Sequence, residues 1–153
     1  MGSITTAFPS SAKAELAQGF HNYTTTTGSV FKAALIKATP TGVYGAGSVN
    51  YSDITGNSDE VTGTGYSAGG FAWTAAQNTT PALTGTTAYW SWSVNPSWTT
   101  ATFSSDGTMF YNSSSSNKAV YVGSFGGTQS VSAGTFTIIL PTNNSTTAVL
   151  RLL

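Results

Sequence analysis

His21 is the only histidine of the sequence, and so the one side chain that ordinarily exchanges a proton near neutral pH. In a Ser/His/Asp arrangement it would act as a general base. Serines are so abundant that a possible partner is uninformative, and no G-x-S-x-G turn presents a nucleophile. His21 also follows the expected end of a helix, where a cation is favourable, so a structural role is expected. The acids Asp53, Asp59 and Glu60 come nearest to a paired-carboxylate centre of the glycosidase kind. Neighbours on a strand point to opposite faces, so Asp59 and Glu60 should diverge and mark a loop-to-strand entry held by backbone hydrogen bonds. No D-x-[DN]-x-[DN]-G spacing forms a calcium loop. Gly63, Gly65, Gly69 and Gly70 superficially resemble a phosphate-binding loop, but strand-like Phe-Ala-Trp-Thr follows where a helix would be needed. A turn requiring positive φ is the expectation there. Trp90 and Trp92 share one strand face with Ala88 and Val94, which favours a core over a sugar-binding platform. Trp73 and Trp98 should cover the ends of that core. No catalytic, cofactor-binding or metal-binding residue is assigned, and no enzymatic activity is expected.

Composition narrows the classes further. The chain has 153 residues, enough for one domain with a real core. Five Lys+Arg balance five Asp+Glu, and charged residues are 7 %, against about 25 % in an average soluble domain. Five cations cannot make the basic footprint of a nucleic-acid binder, nor attract an anionic membrane surface. There is no Cys, hence no disulfide and no thiolate ligand. No apolar run approaches the length of a membrane span. Met1–Ser11 lacks the basic and apolar regions of a secretory signal, so none is expected. With 39 % hydrophobic and 12 % aromatic residues the chain should nevertheless fold. Its surface must be covered mostly by its 27 Thr, 21 Ser and 17 Gly together with Asn, a coat that is wet but not repulsive. That combination suggests a component of an assembly.

The elements that would position these residues are mainly strands. Pro9-Ser10-Ser11 ahead of AKAELAQG predicts one short helix, capped by Ser10 or Ser11, with Glu15 near its positive end. Ala12, Leu16 and Phe20 would form a narrow apolar stripe, and Gly19 would end the helix. Strands are expected at Val30–Ala38, Glu60–Thr64, Gly70–Ala75, Thr87–Val94, Trp98–Ser104, Gly107–Asn112, Ala119–Phe125, Phe136–Leu140 and Ala148–Leu153. Turns should lie at Ser104–Gly107, Asn112–Asn117, Gly126–Thr128 and Pro141–Ser145. Thr39–Asp59 reads as a long loop. The pattern predicts an all-β chain: an antiparallel β-sandwich or jelly roll of about eight strands with one short N-terminal helix. Residues 1–28 would be an N-terminal arm with that helix, and 29–153 a single β-sandwich domain.

The string FKAALIKATPTGVYGAGSVNYSDITGNSDEVTGTGYSAGG (Phe31–Gly70) resembles a family of small structural proteins of tailed bacteriophages. The resemblance runs from about Ser3 to Leu153. Its most specific parts are E-V-x-G-T-G-Y-x-A-G-G at Glu60–Gly70, W-x-x-A-T-F at Trp98–Phe103 and S-A-G-T-F-T-I at Ser132–Ile138. The family is similar to capsid decoration, or cement, proteins, and carries no catalytic signature.

The resemblance implies a jelly-roll-like virion protein without a cofactor. It would be made in the bacterial host cytoplasm and bind the outer surface of the head as a homotrimer. It would stabilise the shell by bridging subunits of the major capsid protein, with no nucleic acid or membrane among its partners. Its contacts are expected from the N-terminal segment, with Phe8, Pro9, Leu16 and Phe20, and from the Thr39–Ser58 loop, with Val43, Tyr44 and Tyr51. Alternatively, the helix stripe packs on its own sandwich. If the N-terminal segment makes the contacts, deleting Met1–Gly19 should abolish binding to undecorated capsids and leave the β-fold intact. A tail or fibre component binding a host glycan is the rival role, which exposed Trp or Tyr pairs in a groove would favour.

Overall fold

A strand whose residues are apolar on both sides needs cover on both faces. Phe31, Ala33 and Leu35 point to one side of the segment Phe31–Lys37, Ala34 and Ile36 to the other, and all five are fully buried. The computed structural model, which describes all 153 residues, supplies both covers. In chain order the elements are β1 (Ser3–Ile4), α1 (Ser10–Ala17), β2 (Phe31–Lys37), β3 (Val43–Tyr44), α2 (Ser52–Gly56), β4 (Phe71–Ala72), β5 (Ala82–Thr84), β6 (Thr87–Trp90), β7 (Ser97–Asn112), β8 (Lys118–Thr137) and β9 (Leu150–Leu152). One 3-10 turn lies at Ala75–Gln77. Strand accounts for 42 % of the chain and helix for 10 %, so the protein is all-β.

β2 is central in an antiparallel sheet of order β4-β2-β7-β8, and a second antiparallel sheet has order β5-β6-β9. The second sheet lies over one face of the first. There Trp90 and Leu150 meet Phe31, Ala33, Phe110 and Val120, with Tyr23, Trp73 and Trp92 filling the space between. The opposite face carries Ala34, Ile36, Met109, Tyr111, Ala119 and Val122. No sheet covers it; the N-terminal arm and the 39–59 segment do, through Ile4, Tyr44, Tyr51 and Ile54. β1 and β3 pair in parallel, Ser3 with Val43 and Ile4 with Tyr44, which ties those two covers together. This is the antiparallel sandwich expected from the sequence, but the strand order does not establish a jelly roll.

Several boundaries differ from the expected ones. Trp98–Ser104 and Gly107–Asn112 are one continuous strand, β7, and Ala119–Phe125 and Phe136–Leu140 merge into β8, which ends at Thr137. The anticipated turns at Ser104–Gly107 and Gly126–Thr128 are instead a bulge. Ser105 pairs with Gln129 and Gly107 with Ser124, so Phe125–Thr128 loop out opposite Asp106, and the ladder resumes. Gly126, at φ +75°, takes the kink. Glu60–Thr64 forms only isolated bridges, to Ile36 and Thr102. The Gly70–Ala75 strand shortens to β4, and the Thr87–Val94 strand stops at Trp90, beyond which Trp92 bridges to Asn78.

The helix also departs from its expected details. Pro9, not Ser10 or Ser11, occupies the N-cap, and no side chain caps the first turn. Its fixed φ pre-organises the turn without one. At the other end, Gly19 adopts φ +76°, its N–H donates to Leu16 O (3.1 Å), and the Phe20 N–H donates to Glu15 O (3.0 Å). This Schellman reversal turns the chain before the third member of the apolar stripe. Ala12 is therefore buried and Leu16 half-buried, whereas Phe20 is 44 % exposed.

Candidate interaction surface

The carboxylates are all engaged by the chain itself. Asp59 is fully buried and accepts hydrogen bonds from Tyr44 Oη (2.6 Å), Gly42 N (2.7 Å) and Thr41 N (2.9 Å), with Lys37 Nζ at 3.0 Å. Burial alone would raise its pKa, but these four donors overcome it and hold the carboxyl well below the usual carboxylate range. Glu60 points the other way and accepts from Tyr51 Oη (2.6 Å), Tyr66 Oη (2.8 Å) and Gly69 N (2.6 Å). The two neighbours diverge as their strand geometry requires, and each fastens a different loop. Asp53 accepts from the Val49 and Asn50 amides, and Asp106 from the Thr39 amide and the Thr128 hydroxyl. No three of His, Asp and Glu converge.

Glu15 and His21 form a carboxylate–imidazole pair, with His21 Nε2 3.0 Å from Glu15 Oε2. Asn112 lies on the other ring nitrogen, Nδ1, at 3.1 Å. Lys118 Nζ donates to Glu15 Oε1 at 2.9 Å. Both imidazole nitrogens are thus occupied by the protein, so neither is free to take a proton from a bound molecule. Burial holds the His21 pKa below its ordinary value, and the Glu15 contacts recover only part of that shift. Glu15, expected near the positive helix end, instead joins α1 to the first residue of β8.

The tryptophans lie inside. Trp73, Trp90, Trp92 and Trp98 are exposed by 1, 2, 4 and 7 %. Trp73 stacks on Trp92 with centroids 4.7 Å apart, and Tyr23 on Phe31 at 4.6 Å. Trp73 is therefore at the centre of the Trp90/Trp92 core rather than at its end, while Trp98 serves a separate cluster with Leu35, Val61, Ala101 and Phe103. A shallow hollow of about 550 Å³ does reach Trp90 and Tyr23, between Leu16, His21, Ala88 and Leu152. The Trp90/Trp92 pair itself offers no open stacking platform.

The anticipated contact residues do not form one patch. Tyr44 is 1 % exposed and is spent on Asp59 and the core under the 39–59 segment. Tyr51 is half-buried, stacked on Tyr111 at 4.5 Å. Pro9 is buried, and Phe8 packs edge-on against Trp90 at 6.1 Å. Leu16 lies against the aromatic core. Of the seven, only Val43 (77 %) and Phe20 (44 %) are exposed, and Lys118 Nζ lies 4.9 Å over the Phe20 ring. The arm is also a structural part of the sheet. Ala7 and Val122 exchange backbone hydrogen bonds at 2.9 and 3.0 Å. Deleting Met1–Gly19 would therefore uncover Val122 and Trp90, which argues against the expectation that the β-fold survives it intact.

What sequence reading missed is the outer edge of β8. Its first part is covered: the Ala119 amide donates to Val49 O, Val122 pairs with Ala7, and the Ser124 amide donates to Thr6 Oγ1. From Gln129 to Thr137 the strand pairs with β7 alone and is the last strand of its sheet. Gln129, Ser130, Ser132, Ala133, Thr135 and Thr137 are exposed. The sequence carried a signal for it: no charged residue occurs between Lys118 and Arg151. No protein-family model, curated protein or solved structure matches this chain.

Proposed function

We propose that this chain is a structural subunit of a virion, a decoration protein that binds the outside of a bacteriophage head and bridges subunits of the major capsid protein. The observation that carries this reading is the engagement of all five carboxylates and the single imidazole by donors and acceptors of the chain itself. What remains outside is hydroxyl-rich and nearly uncharged, interrupted by isolated apolar side chains such as Val43, Val49, Leu83 and Ile139. Such a surface suits contact with other proteins over a wide range of salt, because it depends little on screened charges. The resemblance over Ser3–Leu153 supplies the setting, a phage head, and the partners, capsid subunits and further copies of the chain. Three-fold repetition of a weak footprint would raise avidity without any strong single contact. Burial of all four tryptophans supports this role over glycan recognition.

The test is to add the purified chain to undecorated heads and locate it by electron microscopy. Density on the outer shell at regular capsomer positions is the expected result. Bare heads at saturating protein, or density restricted to a tail, would overturn the reading.

A further inference from the structure

We infer that the hollow between α1 and the second sheet is a binding site for a small uncharged molecule: a compact apolar ring or branched chain that carries one hydrogen-bond acceptor oxygen, such as a ketone or an ester. This goes beyond the virion role and does not depend on it.

The hollow exists because the second sheet reaches further than its cover. Trp90 and Leu150 pair across β6 and β9 and pack into the core. Two residues along the ladder, Leu83, Ala88 and Leu152 stand in one row across all three strands. Residues two apart on a strand share a face, so this apolar row continues the inner face of the sheet. Its two outer members are uncovered, Leu83 at 71 % exposure and Leu152 at 38 %. Leu16 of α1 and Pro81 close the sides, Tyr23 and Trp90 form the buried floor, and the space between is about 550 Å³. Small-molecule sites ordinarily have that size, with mostly apolar walls and few polar groups.

The floor sets the chemistry of the occupant. Five buried side-chain polar atoms find no hydrogen-bond partner in the protein, and three of them, Tyr23 Oη, Trp90 Nε1 and Trp92 Nε1, belong to this one aromatic cluster. Tyr23 and Trp90 are only 3 % and 2 % exposed. The Trp90 indole lies beside the phenol and partly opposes what burial does to it. Even a bond between the two would leave the Tyr23 hydroxyl proton without an acceptor. Burial pushes the phenol pKa up, so that proton stays on. Unpaired buried donors are costly and rare, and an acceptor oxygen reaching the floor would pair this one. No Lys, Arg, Asp or Glu lines the hollow, so an anion would lose its water with no cation to meet it. The field of the Glu15 carboxylate, which reaches Tyr23, would repel it as well. An ammonium would bring only donors to a floor of donors. His21 also borders the hollow, but both its ring nitrogens are engaged. A sugar would leave most of its hydroxyls unpaired against Leu16, Ala88 and Leu152.

The experiment titrates the full chain with cyclohexanone, and with cyclohexanecarboxylate and cyclohexylammonium as charged controls on the same ring. The readout is the proton–nitrogen correlation spectrum, in which the Trp90 indole resonance is assigned by its loss in W90F. Cyclohexanone should shift that resonance saturably and leave the Trp98 indole in place, and neither charged control should shift it. A88L, which fills the hollow from β6, should abolish the saturable shift with an unchanged circular dichroism spectrum. Y23F should bind cyclohexanone about three- to tenfold more weakly. It should also melt no lower than the wild type, because the lost hydroxyl has no partner in the protein. A shift that grows linearly without saturating overturns the inference, as does one that A88L leaves unchanged or that either charged control reproduces. So does a Y23F that binds as tightly as the wild type or melts well below it. Y23F removes one oxygen and keeps the ring, so its arm decides the matter should A88L fail to fold.

Discussion

Asn112 Nδ2 donates a hydrogen bond to His21 Nδ1 at 3.1 Å, and this single contact fixes the protonation state of the imidazole. The amide orientation is set by its other neighbours, since Oδ1 accepts from the Ser114 amide and Nδ2 also donates to Phe20 O. Nδ1 must then be the acceptor, which leaves the ring proton on Nε2, directed at Glu15. A second proton on Nδ1 would face the Asn112 amide hydrogens.

The neutral ring is therefore a condition for docking α1 onto the β7–β8 hairpin. Folding holds the His21 pKa below its unfolded value of about 6.5, chiefly through burial. The folded state binds fewer protons, so this contribution is complete above that value and is lost as pH falls through the lowered folded pKa. Between pH 7.5 and 5 the melting temperature should drop by a few degrees, at about 2–4 °C per kcal/mol for a chain of this size. H21Q, which keeps a polar side chain and does not titrate, should flatten that slope. An equally steep slope in H21Q would assign the acid sensitivity to another group.

Asp59 offers a second test, because three of its four donors come from the segment that covers the second sheet face and the fourth, Lys37, from the end of β2. D59N keeps the size and one acceptor but turns an amide toward buried donors. A loss of about 3 kcal/mol is expected, or roughly 6–12 °C in melting temperature. Asp59 is held below the usual carboxylate range, so its contribution is full above about pH 4 and disappears as pH falls through the lowered value. D59N should consequently lose less than the wild type on acidification below pH 4. A variant that melts with the wild type would show that the Thr41–Tyr44 segment holds without this carboxylate.

The four tryptophans should report a single dry environment. Their emission is expected to be blue-shifted and nearly insensitive to iodide, since none is more than 7 % exposed. Trp73→Ala should cost about 3–5 kcal/mol, the usual result of emptying a large aromatic site. Leu83→Ser, at a position 71 % exposed, should be close to neutral. Strong iodide quenching would place an indole at the surface and revive a glycan platform.

These comparisons also show where the sequence is informative. The run Phe31–Ile36 announces a strand buried on both faces, and the alternation around Trp90 and Trp92 announces an aromatic core, because burial periodicity is written into the residue types. The divergence of Asp59 and Glu60 follows from strand geometry alone. By contrast, Ser104–Gly107 and Gly126–Thr128 have the chemistry of turns and serve as a bulge. Whether the chain reverses there depends on the cross-strand ladder on either side, which local residues do not encode. Tyr44 and Tyr51 read as contact residues for the same reason: their engagement by Asp59 and Tyr111 is a long-range fact. The edge of β8 was visible only as an absence of charge, and its place at the rim of the sheet depends on which strands end up beside it.

Gly70 provides the most direct check of how closely the Glu60–Gly70 segment approaches the central strand. At φ +75° its backbone lies in a region that glycine enters freely, and a Cβ placed there would sit 1.8 Å from Ala33 O and 2.8 Å from Ala34 Cα. That approach allows Phe71 to pair with Ala33 and brings the Trp73 amide within 2.9 Å of Phe31 O, so it sets the indole into the core. Gly85 has a similar φ of +60° but nothing within 4 Å of its Cβ position. G85A should therefore cost only the backbone term, about 1–2 kcal/mol. G70A must in addition push β4 away from β2, and should lower the melting temperature several times further and red-shift the tryptophan emission as Trp73 is displaced. Equal losses in the two variants would mean that backbone strain alone is being measured, and that the close contact between Gly70 and β2 does not position the aromatic core.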